Sequence, residues 1–379
     1  MGLGWVDTTS SDELIRQKME TFRGALIPDG RTLKYLPTIQ EYYGKIPPLE
    51  KPRKKKRYSA VFSMVEELWR ISGKEIPEIL EVWKDFEPIL QKLESKESYR
   101  DHFIHSSNVF LLGYYIINEL RRTCNLKGSD LHLNNIELTW MMASTFHDVA
   151  YPVQEMESWL NDLLGKLLGI NPRFDYNITQ VIPMAYNEFM KMIAAYHSSP
   201  NALASGQASY YDMDWPVYDG LNSELFRKDH GVLSALMLAH VLAIRKGFAT
   251  RNQGDYWDFA ITHMPAIHAI SLHTLEQVTV EFQKHPIAFL LILSDELQGW
   301  GRPAKQPRKS TINLDNLDIT NEDVPIISFK VRASKRAIKH AQKSLSRLCT
   351  NGKIKVSISD EIGNLILEIR DHLQPNVRM

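Results

Sequence analysis

Apolar residues recur at helical spacing through most of the chain. Between residues 58 and 300 they fall three or four positions apart, as Leu233, Met237 and Val241 do. This period places apolar side chains on one face of an α-helix. Strand-like alternation is scarce in the same stretch, so a mainly α-helical body is predicted over residues 58–304.

The first part of the chain lacks this regularity. Residues 1–57 are poorly periodic, contain five prolines between Pro28 and Pro52, and finish in the basic run KPRKKKR at 51–57. We therefore predict an irregular N-terminal arm over residues 1–57. Short basic runs are more often solvated than bound to a partner, which favours a loop for 51–57.

The pattern changes again after the breaker-rich linker at 301–307. Two-residue alternation there predicts strands around a basic amphipathic helix. The predicted strands cover 325–331, 353–359 and 364–370, and the predicted helix covers 333–348. We expect residues 321–379 to form a small α+β accessory segment outside the catalytic core. It should dock on the helical body or on a second subunit, because so small a segment buries too little surface to fold alone.

Composition narrows the possible classes of protein. Lys and Arg total 45 and Asp and Glu total 45, so net charge gives no long-range attraction to nucleic acid or to an anionic membrane. Two cysteines exclude a disulfide framework. No apolar run approaches the ~20 residues that a membrane-spanning helix needs. These features predict a cytoplasmic protein without a membrane segment.

Several polar residues occupy apolar helical faces, where they need partners. The pair His147-Asp148 closes the apolar stretch WMMASTFHD, and Asp295 follows AFLLILS. A carboxylate in such a place costs several kcal/mol unless it is paired or bound to a cation. One shared metal centre would satisfy all of these groups, and a His/Asp set suits Mn, Fe, Co, Ni, Zn or Mg. The predicted ligands are His105, His147, Asp148, His230, His273 and Asp295.

The order of these motifs resembles the HD superfamily of metal-dependent phosphohydrolases. The resemblance covers roughly residues 100–304 and rests on an ordered H…HD…H…H…D set. The matching stretches are HSSNVFLLGYYI from His105, STFHDVAYP around His147, HGVLSALML from His230, AISLH ending at His273, and FLLILSDELQ around Asp295.

The resemblance implies an HD-domain helical bundle that holds one or two divalent metal ions. It also implies cleavage of a phosphoester bond, in a nucleotide or other small phosphodiester substrate, by a metal-activated hydroxide. In the family pattern Asp148 bridges two metals, His105, His147 and Asp295 complete the first, and His230 and His273 complete the second.

Four further residues have more than one interpretation. Arg302 follows the last motif and is a predicted phosphate contact, since a guanidinium binds phosphate in a bidentate manner. His102 is either a general acid or an exposed histidine at a helix start. His197 is interpreted as a helix-end residue rather than an extra ligand, and His268, off the face of His273, as no ligand.

Two alternative functions remain open on the sequence. The first is a regulatory or sensor module that keeps the metal centre without catalysis. The second is a nuclease that uses the basic run 51–57 and the predicted helix with Arg332, Lys335, Arg336, Lys339 and Lys343, although the neutral total charge does not favour it. A homo-oligomer is compatible with either.

Overall fold

A computed structural model gives the fold of this chain. It describes residues 9–22, 33–45, 54–73, 81, 102–124, 135–169, 186–201, 213–244, 253–299, 312–369 and 371. The fold is mainly α-helical with a small α+β part at the C-terminal end, as predicted. None of the described helices combines the length and apolar content that crossing a bilayer requires.

Helices form the body of the molecule. In chain order they are α1 Thr9–Glu20, α2 Leu36–Lys45, α3 Lys54–Ile71, α4 His102–Cys124, α5 Ile136–Phe146, α6 Tyr151–Leu168, α7 Tyr186–Ser198, α8 Trp215–Phe226, α9 His230–Ile244, α10 Gln253–Leu272 and α11 Pro286–Leu297. Local signals set several ends. Asn135 caps α5 by accepting from the Leu138 amide, and Gly169 ends α6 in the left-handed region at φ 65°.

Helices α4 and α5 approach unusually closely at the centre of the body. A Cβ placed on Gly113 would lie 1.8 Å from Cζ2 of Trp140, so only glycine fits at this crossing. The Trp140 indole Nε1 also donates a hydrogen bond to the Phe110 carbonyl, at 2.9 Å. This contact fixes the relative position of the helices that carry His105 and lead to His147.

The N-terminal segment is helical where the structure describes it, so the prediction of an irregular arm is wrong there. Helix α1 buries Ile15 and Met19, and Ser11 exchanges two hydrogen bonds with the backbone of Leu314, at 2.9 and 3.0 Å. Arg57 of the basic run is buried and donates to both carboxylate oxygens of Asp12. Helix α1 is mostly polar and buries about one residue per turn, so its sequence shows no clear apolar period.

The C-terminal part contains a four-stranded sheet with one helix. A short strand, β1 Val280–Glu281, lies earlier in the chain, between α10 and α11. The elements of the C-terminal part are β2 Ile312–Asn321, β3 Pro325–Ala333, α12 Lys335–Leu345, β4 Leu348–Cys349, β5 Lys355–Ser359 and β6 Leu365–Glu368. Strand β1 pairs with β4 in a separate two-stranded sheet. The sheet order is β2-β3-β5-β6, with β3 and β5 parallel and the other pairs antiparallel. The predicted helix and three predicted strands are confirmed.

Strand β2 was not predicted, and it brings the start of the sheet to Ile312, ahead of residue 321. A register shift between Leu314 and Asn316 interrupts the alternation of its buried residues, which removes the two-residue period from the sequence.

The sheet and α12 dock on the helical body, as expected. Arg347 is buried and donates hydrogen bonds to the carbonyls of Leu272, His273 and Leu275, at 2.6 to 2.8 Å. These carbonyls lie at the end of α10, where no helical donor follows. The Arg347 guanidinium, with several fixed donors, therefore joins the C-terminal segment to the turn that contains His273.

Candidate metal centre

Five elements bring the six predicted metal ligands together. His105 lies in α4, His147 and Asp148 follow α5, His230 opens α9, His273 follows α10, and Asp295 lies in α11. Together these six residues are called the carboxylate–histidine cluster below. His105, His147, Asp148 and His273 are buried, and His230 and Asp295 are partly buried.

The two carboxylates lie at the centre of this cluster, with histidine Nε2 atoms around them. Asp295 Oδ1 lies 2.7 Å from Nε2 of His105 and 3.8 Å from Nε2 of His147. Asp148 Oδ1 lies 3.3 to 3.7 Å from Nε2 of His147, His230 and His273. Asp148 Oδ2 lies 3.7 Å from Nε2 of His105. Asp148 thus reaches all four imidazoles, as a bridging ligand would.

An oxygen acceptor holds the other nitrogen, Nδ1, of each of the four rings. His147 Nδ1 donates to the Ser144 carbonyl at 2.9 Å and His273 Nδ1 to the Ile270 carbonyl at 2.6 Å. His230 Nδ1 donates to Gln154 Oε1 at 2.8 Å, and His105 Nδ1 donates to Gln298 Oε1. Metal-bound histidines commonly donate their second N–H in this way. The four Nε2 lone pairs are therefore oriented toward the carboxylates.

The electrostatics of the cluster favour a bound cation. Burial raises the pKa of Asp148, but the charge of His147 and the imidazoles of His230 and His273 beside it outweigh burial and hold that pKa well below 3.8. Asp295 behaves alike beside His105 and His147. Burial lowers the pKa of His147, yet the two carboxylates raise it to about 9. Without metal, protons occupy positions that a metal ion would otherwise neutralise.

A close contact between α9 and the end of α10 orients His273. A Cβ on Gly231 would lie 2.5 Å from Thr274 Oγ1 and 2.8 Å from His273 Cε1, so a larger residue would displace the ring. Asp229 accepts hydrogen bonds from the Gly231 amide at 2.9 Å and from Thr274 Oγ1 at 2.6 Å. These bonds connect the start of α9 to the His273 turn.

A cavity of about 240 Å³ opens onto the cluster. Its wall includes His340, Ser344 and Arg347 of the C-terminal segment, together with Glu276 and Glu296. The prediction that this segment stays outside the catalytic core needs correction, because it supplies part of the pocket although none of the six clustered ligands. No sequence pattern indicated this, because α12 also has the polar pattern of a solvated helix.

The remaining site predictions have different outcomes. His102 lines the cavity, is 3 % exposed, and stacks on Tyr151 with ring centroids 3.8 Å apart, so the interpretation as an exposed histidine is wrong. Arg302 lies outside the described residues. Sequence reasoning missed Gln154 and Gln298, which orient two rings, because an isolated glutamine has no spacing signal.

Comparison of the chain with protein-family models, with curated proteins and with solved structures finds no match.

The residues themselves fit a divalent metal. Four imidazole nitrogens and two carboxylates form a mixed N/O donor set, which transition metals prefer. His273 Nε2 is buried and has no hydrogen-bond partner among the described residues, which is costly unless an ion accepts its lone pair. Three overlapping triads of these residues have the spacing of a metal site, and Asp148, His147 and His273 each belong to two of them.

Proposed function

We propose that this protein is an HD-type metal-dependent phosphohydrolase that cleaves a phosphoester bond in a nucleotide or another phosphodiester. One observation carries the proposal: four Nδ1 atoms are held by oxygen acceptors while four Nε2 atoms surround Asp148 and Asp295. Buried histidines in a merely structural role have no need for this common orientation.

The proposed ligands follow from the distances. His105, His147 and Asp295 would hold one ion, His230 and His273 a second, and Asp148 both. When bound, the ions would lower the pKa of water to near neutrality and neutralise charge on the phosphoryl group. The protein orients the rings through Ser144, Gln154, Ile270 and Gln298 and encloses the reacting groups in the cavity.

His102 is the proposed proton donor to the leaving oxygen. It lines the cavity and is held against Tyr151, whose ring also lies 5.4 Å from that of His230. A proton donor has to reach the leaving group at hydrogen-bond distance, and His102 occupies the wall next to the ligands. Cyclic-nucleotide phosphodiesterases have a histidine where Tyr151 stands and another four residues before the first ligand, where this chain has Asp101. Their general acid is therefore not transferred to this chain.

The pocket composition supports a small substrate rather than a long nucleic acid. Arg347 adds positive charge to the wall and Ser344 adds a hydroxyl. Arg57 of the basic run is buried against Asp12, and Lys343 is paired with Glu276 at 2.5 Å. Arg57 is therefore not accessible to a phosphate backbone and Lys343 already has an acidic partner, which weakens the nuclease alternative.

The experiment is a hydrolysis screen on the full chain after metal removal and reloading with Mn²⁺, Co²⁺, Mg²⁺ or Ni²⁺. Nucleotides, cyclic nucleotides, dinucleotides, DNA and RNA are offered, and product release is measured by chromatography. We expect metal-dependent release of a nucleoside or nucleotide that Asp148→Ala abolishes. Asp162→Ala is the control, because Asp162 is exposed and pairs with Lys166 in its own helix.

Three outcomes separate the alternatives. Hydrolysis confined to DNA or RNA would favour the nuclease. Bound metal without any hydrolysis across the panel would favour the sensor module and contradict the enzyme. Absence of bound metal in a folded wild-type chain would contradict both.

A further inference from the structure

A second group of buried histidines shares no residue with the carboxylate–histidine cluster. It consists of His197 at the end of α7, His268 in α10 and His285 at the N-cap of α11, and is called the three-histidine cluster below. One ring nitrogen of each lies within 4.8 Å of a ring nitrogen of the other two. His268 is 1 % exposed and His285 3 %, so solvent cannot satisfy these rings.

The spacing of two donors suits a shared ion. His197 Nδ1 lies 3.1 Å from His268 Nε2. Two nitrogens on one tetrahedral zinc lie roughly 3.3 Å apart when each Zn–N bond is ~2.0–2.1 Å. Without an ion, one of these two nitrogens has to donate a hydrogen bond to the other.

The third ring, that of His285, is oriented by a hydrogen bond from one ring nitrogen, which leaves the other nitrogen for an ion. His285 Nε2 donates to the backbone carbonyl of His197 at 3.0 Å, so its proton is on Nε2 and its lone pair on Nδ1. That Nδ1 is buried and has no hydrogen-bond partner among the described residues. Although His285 is the N-cap residue of α11, its side chain makes no capping bond.

Metal ligands have to be neutral imidazoles, and burial favours the neutral form of all three rings. Burial and the neighbouring rings lower the pKa of His268 and His285 well below 6.5. Burial lowers the pKa of His197 to about 4, against the opposing charge of Asp214. Asp214 Oδ2 lies 3.9 Å from His197 Nε2, beside the nitrogen that does not face His268. A carboxylate behind a ligating histidine is a common metal-site arrangement.

We propose that the three-histidine cluster binds one structural Zn²⁺ that joins α7, α10 and α11. Three imidazoles with one remaining position suit zinc. Because the rings of His197 and His285 stack at 14° with centroids 4.6 Å apart, binding turns one of them out of the stack. Helices α10 and α11 also lead to His273 and Asp295, so the ion would stabilise the scaffold of the carboxylate–histidine cluster.

The test is the zinc content of the full chain after chelation, reloading and removal of excess zinc. We expect His268→Gln to bind one zinc fewer per chain than wild type. His263→Gln is the matched control, because His263 is equally buried on the same helix and outside both clusters, and should bind the wild-type number. Asp148→Asn should keep at least one zinc and a zinc-dependent rise in Tm, which Asp148→Asn combined with His268→Gln should lack.

Cobalt gives a second readout that does not depend on His268→Gln folding. In the Asp148→Asn background we expect the strong visible absorption of tetrahedral Co²⁺, and its loss on adding His197→Gln at the less buried position. Equal zinc counts in wild type and His268→Gln, or an Asp148→Asn chain that binds neither ion, would overturn the proposal. The three rings would then form only a hydrogen-bonded network.

Discussion

The carboxylate–histidine cluster and the three-histidine cluster bury the same side chain in opposite electrostatic surroundings. In the first, Asp148 and Asp295 raise the pKa of His147 to about 9 in spite of burial. In the second, burial prevails and lowers the pKa of His197 to about 4. The nearby carboxylates, rather than depth in the core, therefore decide whether a buried histidine carries a proton.

This contrast assigns different properties to the two sites. The first combines negative charge, a cavity and oriented Nε2 atoms, which suits ions that act on a bound substrate. The second is neutral, with two of its three histidines fully buried, and it joins three helices. An ion in the second site would join these helices, whereas ions in the first would face the cavity and keep a position open to substrate.

The largest effect should come from removing both carboxylates of the first cluster. In metal-free Asp148→Asn combined with Asp295→Asn, burial outweighs the remaining hydrogen bond to the Ser144 carbonyl, so the pKa of His147 should fall from about 9 to below 6.5. That change is about 3 kcal/mol. NMR titration of the imidazole resonances measures it, and His197 should not shift.

The same change has a signature in stability. A group whose pKa is raised by folding stabilises the protein at pH below its unfolded-state pKa. This stabilisation is lost as pH rises through the folded-state pKa. The free energy of unfolding of the metal-free wild type should therefore decline between pH 6.5 and 9. The double variant should show a flatter profile, and equal slopes would contradict the contrast between clusters.

The next effect concerns the C-terminal segment, which contacts the first cluster through Arg347. Arg347→Met removes three hydrogen bonds to carbonyls at the end of α10 and should cost about 3 kcal/mol of unfolding free energy. Chemical denaturation measures the loss. Lys343→Met, which breaks an exposed ion pair with Glu276, should cost at most about 1 kcal/mol. Equal losses would mean that Arg347 does not join the segments.

The smallest effect should come from the groups behind the ligands. Gln298→Leu removes the acceptor of His105 Nδ1 and should weaken metal binding at the first cluster by about 10–100-fold. Gln298→Glu keeps an acceptor and should restore most of the affinity. Titration calorimetry with Mn²⁺ compares the variants. An unchanged affinity in Gln298→Leu would show that ring orientation is unimportant.

Much of the fold and of the first cluster followed from the sequence because both have regular signals. The helical period marked the body, and a carboxylate after an apolar helix marked Asp148 and Asp295. Neither α1, with its narrow buried face, nor β2, with its bulge after Leu314, has a clean period. Their positions depend on tertiary contacts such as those between Ser11 and Leu314.

The three-histidine cluster could not be predicted, for a related reason. His197, His268 and His285 come from a helix end, a helix interior and a cap, and no repeated spacing connects them. His268 was set aside because it lies off the face of His273. His268 is indeed no ligand of the first cluster. It lies on the other face of α10, which meets α7 and α11.

The central claim is that four histidines and two aspartates hold divalent metal. The most direct measurement is a crystal structure of the Mn²⁺-loaded full chain, with the ions located by anomalous scattering. We expect one or two ions in contact with Asp148 and with Nε2 of His105, His147, His230 and His273. An ordered cluster without an ion, or with His230 and His273 both more than about 5 Å from any ion against the ~2 Å of a metal–nitrogen bond, would contradict it.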